Sequence, residues 1–267
     1  MPSAVAIIGN GFDLNLGMRT SYQDFFESSY FPEGNDASLA CALRRKKDAL
    51  GWVDIEQELA DFSKSNPQSG TFKAEYQALR SALAEYIRSL PLPAEKGETH
   101  AHRLIEVLAK ESDLLIVNFN YTRSVKHLLA TAGRKIETLD KEHWSIHGTC
   151  DDDSIIFGVD DSAQICNDHH FLFKSFAKNY SARGLVEKLK SAHAVHIFGH
   201  SLGPPDHMYF RDYFLNLAVH STKSKLILYH HGEQGRLNLL SQIRTMVGSK
   251  VSAVRNNVIF ELEDVSV

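Results

Sequence analysis

Ala4-Val5-Ala6-Ile7-Ile8-Gly9-Asn10-Gly11-Phe12-Asp13-Leu14-Asn15-Leu16-Gly17 opens the chain with an apolar run that stops at Gly-x-Gly. Five apolar residues bounded by glycine are too few for a helix and suit a strand buried on both faces. Gly9 and Gly11 carry no Cβ and permit positive φ, so a phosphate or ribose could approach bare backbone, while a following helix start would present unpaired N–H groups. The dinucleotide fingerprint asks for a third glycine where Leu14 stands, and Gly17 takes its place three residues later. The same letters also fit a tight strand-to-helix turn without a ligand.

Similar short runs recur at Val5–Ile8, Leu114–Asn118, Ser154–Phe157, Val195–Phe198, Leu226–Tyr229 and Val258–Leu262. Several precede helical patterns, so the expected fold class is α/β, a Rossmann-like and mainly parallel sheet. The stretch from about residue 20 to 110 reads helically and is expected as an insertion within one domain spanning 1–267. Within it, Tyr76, Leu79, Leu83, Tyr86, Ile87 and Leu90 share a helix face that ends at Pro91 and Pro93. Thr20 with Gln23, and Asp54 with Gln57, are spaced as capping boxes.

Composition narrows the class. Hydrophobic residues make up 43% and charged residues 23% of 267, ordinary usage for a folded domain. A formal charge of -4 offers no global attraction to nucleic acid or an anionic membrane. Cys41, Cys150 and Cys166 are odd in number and widely spaced, as reduced thiols would be. No stretch approaches the roughly eighteen apolar residues of a membrane span, and no signal peptide is recognisable, so the cytoplasm is the expected compartment. The histidine pairs His100/His102, His169/His170 and His230/His231 lack partners at metal-ligand spacing, and no metal is implied. Asp151–Asp153 and Asp160-Asp161 read as solvated turns, since adjacent aspartates point in different directions.

Three later motifs carry chemistry. Asn118-Phe119-Asn120-Tyr121-Thr122 falls where an open α/β sheet places its ligand-facing loops, and an amide there can hold a ribose hydroxyl or a water; asparagine also forms simple turns. His147, before Gly148 and after a short strand, can serve as a general base near neutral pH or as a structural residue. Gly199-His200-Ser201-Leu202-Gly203 spells the nucleophile elbow of α/β-hydrolases, with Asp212 and His230 or His231 as conceivable partners of Ser201. Pro204-Pro205 follows at once, which argues against the helix that an elbow feeds.

Taken in order, Gly9–Asp13, Trp52-Val53-Asp54-Ile55-Glu56, Phe119–Thr122, Ile146-His147-Gly148 and Phe198–Gly203 with Asp206 resemble the bacteriophage abortive-infection AbiH family over nearly the whole chain. That resemblance implies a role in defence against phage, and it leaves open a phage-derived trigger and self-association into a homo-oligomer. At the same stations the chain is similar to sirtuin-like NAD-binding domains. That second resemblance implies NAD as substrate or ligand, with no prosthetic group. It implies that His147 and Asn120 are catalytic, as base and as the group positioning ribose or water. Gly9, Asn10, Gly11, Asp13, Gly17, Asn118, Tyr121, Gly199, His200, Ser201 and Asp206 would then line the nucleotide. Asn10 replaces the usual loop alanine, Asp13 stands where a serine is usual, and Thr122 where an aspartate is usual. A carboxylate at position 13 would repel a pyrophosphate unless it bound ribose hydroxyls or a base edge. Three scattered cysteines cannot build the zinc site of deacetylating sirtuins. The expected activity is hydrolysis of the nicotinamide–ribose bond; the alternatives are a nucleotide-sensing module without hydrolysis and a serine hydrolase using Ser201.

Overall fold

The computed structural model describes residues 2–50, 54–151, 154–178, 180 and 182–266. Trp52 and Val53 of the Trp52–Glu56 motif, and Asp152 and Asp153 of the acidic run, lie outside them. Two compact units divide the chain: residues 1–18, 92–146 and 181–267 form one, residues 19–91 and 147–180 the other.

In the first unit, the described residues form a six-stranded sheet, parallel at every pairing. Its strands are β1 (Ala4–Ile8), β2 (Leu114–Asn118), β3 (His143–Ser145), β4 (Ala194–Phe198), β5 (Lys225–His230) and β6 (Ile259–Asp264), in the spatial order β3-β2-β1-β4-β5-β6. This is the Rossmann order, in which the chain winds outward from β1 in one direction and then returns to wind in the other. With right-handed crossovers, that reversal sends the two sets of connecting helices to opposite faces. Every residue of β1 and β2 is therefore buried, which is why both read as apolar runs, β2 up to its last residue, Asn118. Ala4, Ala6, Ile8, Leu114 and Ile116 pack with Ala101, Leu104, Ile105 and Leu108 of the helix His100–Leu108 and with Val125, Leu128 and Leu129 of the helix Ser124–Thr131. At the far edge, β6 is half-exposed and carries Glu261, Glu263 and Asp264, charges that discourage pairing with another chain.

Five of the six expected strands are present. Ser154–Phe157 is not a strand: it is a buried connecting segment of the second unit, where Ile156 N–H donates to the His147 carbonyl at 2.7 Å. A short apolar run looks alike in a sheet and in a loop that lies over a core. Here the core is aromatic, with Phe157 stacked on Tyr76 of the helix Phe72–Ser89. The short strand expected ahead of His147 is β3.

The second unit is helical, with Tyr22–Glu27, Leu39–Leu50, Ile55–Ser65 and Phe72–Ser89 among its helices. The last buries Tyr76, Leu79, Leu83, Tyr86 and Ile87 and ends at Leu90, before Pro91, as its periodicity predicts. The first capping box lies one residue later than expected, between Ser21 and Asp24. Ser21 is extended, as an N-cap must be, and its side chain accepts from Asp24 N–H while Asp24 returns the bond to Ser21 N–H. Asp54 does cap its helix, accepting from Glu56 and Gln57 N–H, but Gln57 turns to Asp61 instead of closing a box.

Candidate functional site

β1 and β4 are neighbours whose connections depart in opposite directions, so the loops after them flank the switch point, where open α/β sheets bind ligands. These two loops touch. Gly9 N–H donates to the Phe198 carbonyl and Gly11 N–H to the Gly199 carbonyl, both at 2.9 Å. A Cβ on Gly9 would lie 2.6 Å from the Gly199 oxygen, one on Gly11 2.7 Å from Gly199 Cα, and one on Gly199 2.2 Å from Phe12 N. Of these three glycines only Gly199 uses the positive φ that the residue permits, at 67°. The missing side chains are required by the crossing of two protein backbones. Gly17, at φ 78° with open space around it, ends the short helix Gly11–Asn15. Asn10 is exposed at the loop's tip.

Beneath the first loop is a polar cluster that the sequence did not show as one. Asp13 is fully buried. Its Oδ2 accepts from Asn120 Nδ2 at 3.0 Å and from Thr122 Oγ1 at 2.7 Å, and its Oδ1 accepts from Ser124 Oγ. Burial pushes the Asp13 carboxyl up to about 6, against the pull of those three donors. Thr122 and Ser124 hydroxyls also lie 3.0 Å apart. When Asp13 is ionised each spends its single proton on the carboxylate; when Asp13 is protonated, Asp13, Ser124 and Thr122 can close a ring of three hydrogen bonds. Both states satisfy every group, so the site can hold the carboxyl either ionised or protonated.

Asp13 was expected to line the nucleotide; in the structure it is fully buried and both its oxygens are engaged by protein donors, so a ligand would reach the carboxylate only if those partners moved. The carboxylate at 13 and the hydroxyl at 122, both singled out in the sequence, bond to each other. Nothing in the sequence singled out Ser124.

Asn120 is 5% exposed, and its Nδ2 donates to the Gly9 carbonyl at 3.2 Å as well as to Asp13. Its main-chain N–H donates to Asn118 Oδ1 at 3.0 Å. Asn118, wholly buried at the end of β2, keeps an Nδ2 with no protein partner among the described residues. Its carbonyl receives Ile146 N–H at 2.8 Å. Tyr121 is partly exposed on the same loop.

In the loop after β4, His200 Nδ1 accepts Leu202 N–H at 2.9 Å, which makes Nε2 the donor to Asp206 Oδ2 at 3.2 Å. The His200 ring meets Phe119 edge-on with centroids 4.3 Å apart. Leu202, fully buried, is held at φ 54°, a strained conformation for a branched side chain and one that concentrates at functional sites. Ser201 is exposed; its Oγ accepts Gly203 N–H at 3.3 Å, and among the described residues no histidine bonds to it. His230 Nδ1 bonds the Gly232 carbonyl instead, and Asp212 is exposed. The hydrolase arrangement is therefore not assembled around Ser201. His147 belongs to the second unit and directly follows Ile146; it is buried, and Gly148 after it has φ 73°. Among the described residues no group of three or more His, Cys, Asp or Glu is placed to hold a metal ion, and no helix is long and apolar enough to cross a membrane.

A doubly wound parallel sheet with glycine loops crossing at its switch point places the protein in the Rossmann-like α/β class. The family model for bacteriophage abortive infection AbiH matches residues 5–78 and 68–228, and the chain belongs to that family. Membership supports a role in abortive infection. No curated protein matches the chain.

Proposed function

We propose that the protein acts in abortive infection by binding NAD and hydrolysing its nicotinamide–ribose bond. The observation that carries this reading is the Asn120 amide, buried at the carboxyl end of the sheet and fastened to both the Gly9 loop and Asp13. A preformed polar group beside a switch-point loop is the kind of device that stabilises developing charge without reorganising. In the reaction the bond between C1′ and the pyridinium nitrogen breaks, and its electron pair leaves with neutral nicotinamide. Water then adds to the oxocarbenium-like C1′, its proton passes to a base, and ADP-ribose results. Asn120 would orient the ribose or the water, and His147 would take the proton.

The test is nicotinamide release from NAD by purified protein, followed chromatographically. His147→Ala should slow release by about 100- to 10,000-fold with much of the NAD affinity kept, because proton transfer matters more in the transition state than in the ground-state complex. Infected cells carrying the wild-type protein should lose NAD, and cells carrying folded His147→Ala should not. NAD bound but recovered unchanged would make the protein a sensor, and NAD neither bound nor depleted would remove the reading.

A further inference from the structure

The Asn120 side chain has one chemically acceptable orientation. The Gly9 carbonyl can only accept a hydrogen bond, so the atom 3.2 Å from it must be the amide nitrogen. Rotating the amide by half a turn would press Oδ1 against two acceptors, the Gly9 oxygen and the Asp13 carboxylate. Both Nδ2 protons are thus committed, one to Gly9 and one to Asp13, and the main-chain N–H goes to Asn118. Oδ1 is left on the far side of the amide, with no protein partner among the described residues.

Asp13 is itself held from the same loop. Residues 120, 122 and 124 each send a donor to its carboxylate, and these alternate positions wrap the loop after β2 around it. Asp13 cannot swing away without stranding three donors in a buried place.

We propose that Asp13 is a positioning residue, whose carboxylate locks the Asn120 amide with Oδ1 facing away from the Gly9 loop, so that Asn120 serves the reaction as a hydrogen-bond acceptor. This rests on the NAD reading. It deepens it by specifying what Asn120 recognises: a group with a proton to give, such as a ribose hydroxyl or the attacking water, and not the nicotinamide carbonyl oxygen.

Nitrogen-15 NMR of the asparagine side chains tests this without any ligand, the Asn120 signal being assigned by its loss in Asn120→Ala. In the wild type both Nδ2 protons should exchange with solvent slowly and be inequivalent. Asp13→Leu, which keeps the branching at Cγ and removes the acceptor, should speed their exchange by about 10-fold or more, the equivalent of one lost hydrogen bond. Asp13→Asn should restore slow exchange, since its oxygen can accept from Asn120 while its nitrogen donates to Ser124. Thr122→Val should leave the Asn120 signal near wild type. Exchange as fast as that of an exposed asparagine in the wild type overturns the proposal even if Asp13→Leu does not fold. So does equal acceleration by Thr122→Val and Asp13→Leu. With NAD added, nicotinamide release should fall in Asp13→Leu and recover in Asp13→Asn. Slow exchange with no nicotinamide release by wild type would sink the NAD reading and leave the positioning intact; unchanged turnover in folded Asp13→Leu would sink the positioning and leave the reading.

Discussion

Ser201 is the residue whose letters mislead most. Gly199-His200-Ser201-Leu202-Gly203 spells an elbow, yet the hydroxyl is exposed and bonded to the N–H two residues on, a local turn contact. Ser201→Ala should therefore cost no more than about 1 kcal/mol of stability and leave any nicotinamide release measurable, and a fluorophosphonate probe should not label the protein. Collapse of turnover in a folded Ser201→Ala variant, with labelling of the wild type, would restore Ser201 as a nucleophile. Asp13 shows the opposite case. In the sequence it looks like an obstacle to a pyrophosphate, and in the structure it is turned inward and satisfied by three side chains. Its neighbours Gly9 and Asn120 could be picked out from motif position, but that Asn120 holds the Gly9 carbonyl could not, because the contact spans 111 residues.

At the scale of elements, the crossing of the loops after β1 and β4 explains the glycines better than a ligand does. A methyl group at Gly199 would meet Phe12 N at 2.2 Å and would also have to tolerate φ 67°, whereas one at Gly17 would tolerate φ 78° in open space. Gly17→Ala should lose about 1–2 kcal/mol, the left-handed penalty alone. Gly199→Ala should lose that and roughly 1–3 kcal/mol more, since backbone cannot yield as a flexible side chain does. Urea denaturation of the two variants gives the comparison, and equal losses would show that the crossing contributes nothing. A bulky residue at Gly11 would likewise disturb the fold first, so loss of ligand in such a variant would say little about binding. The helices were legible where periodicity was long, as in Phe72–Ser89, and misread by one residue at Ser21, where two adjacent hydroxyl residues can each cap and serine is the stronger. Ser154–Phe157 misled because its three apolar residues, Ile155, Ile156 and Phe157, have no period to read.

For the molecule as a whole, three groups whose charged form the fold disfavours set a pH dependence. Burial lowers His143 in β3 and His196 in β4 from 6.5 to about 4. Between those values the unfolded chain holds protons that the fold refuses, so stability falls as pH drops, by up to about 1.4 kcal/mol per pH unit for each histidine. Asp13 acts in reverse: its carboxyl, raised from 3.8 to about 6, lets the fold keep a proton that the unfolded chain has lost, so its contribution grows as pH falls through that interval. Two groups outweigh one, and the urea midpoint should be lower at pH 5 than at pH 7. His196→Gln should flatten the dependence, and an unaltered slope would mean that His196 is not held neutral by the fold. The sequence alone determined the parallel sheet, the helical run ahead of β2 and the positions of the loops, because burial on two faces and helical period are written in adjacent residues. Only the tertiary structure decided that Gly11 faces Gly199 and that Asp13 is shared by Asn120, Thr122 and Ser124. Those partners lie 107, 109 and 111 residues from Asp13, and a hydrogen bond across such a distance leaves no local pattern in the chain.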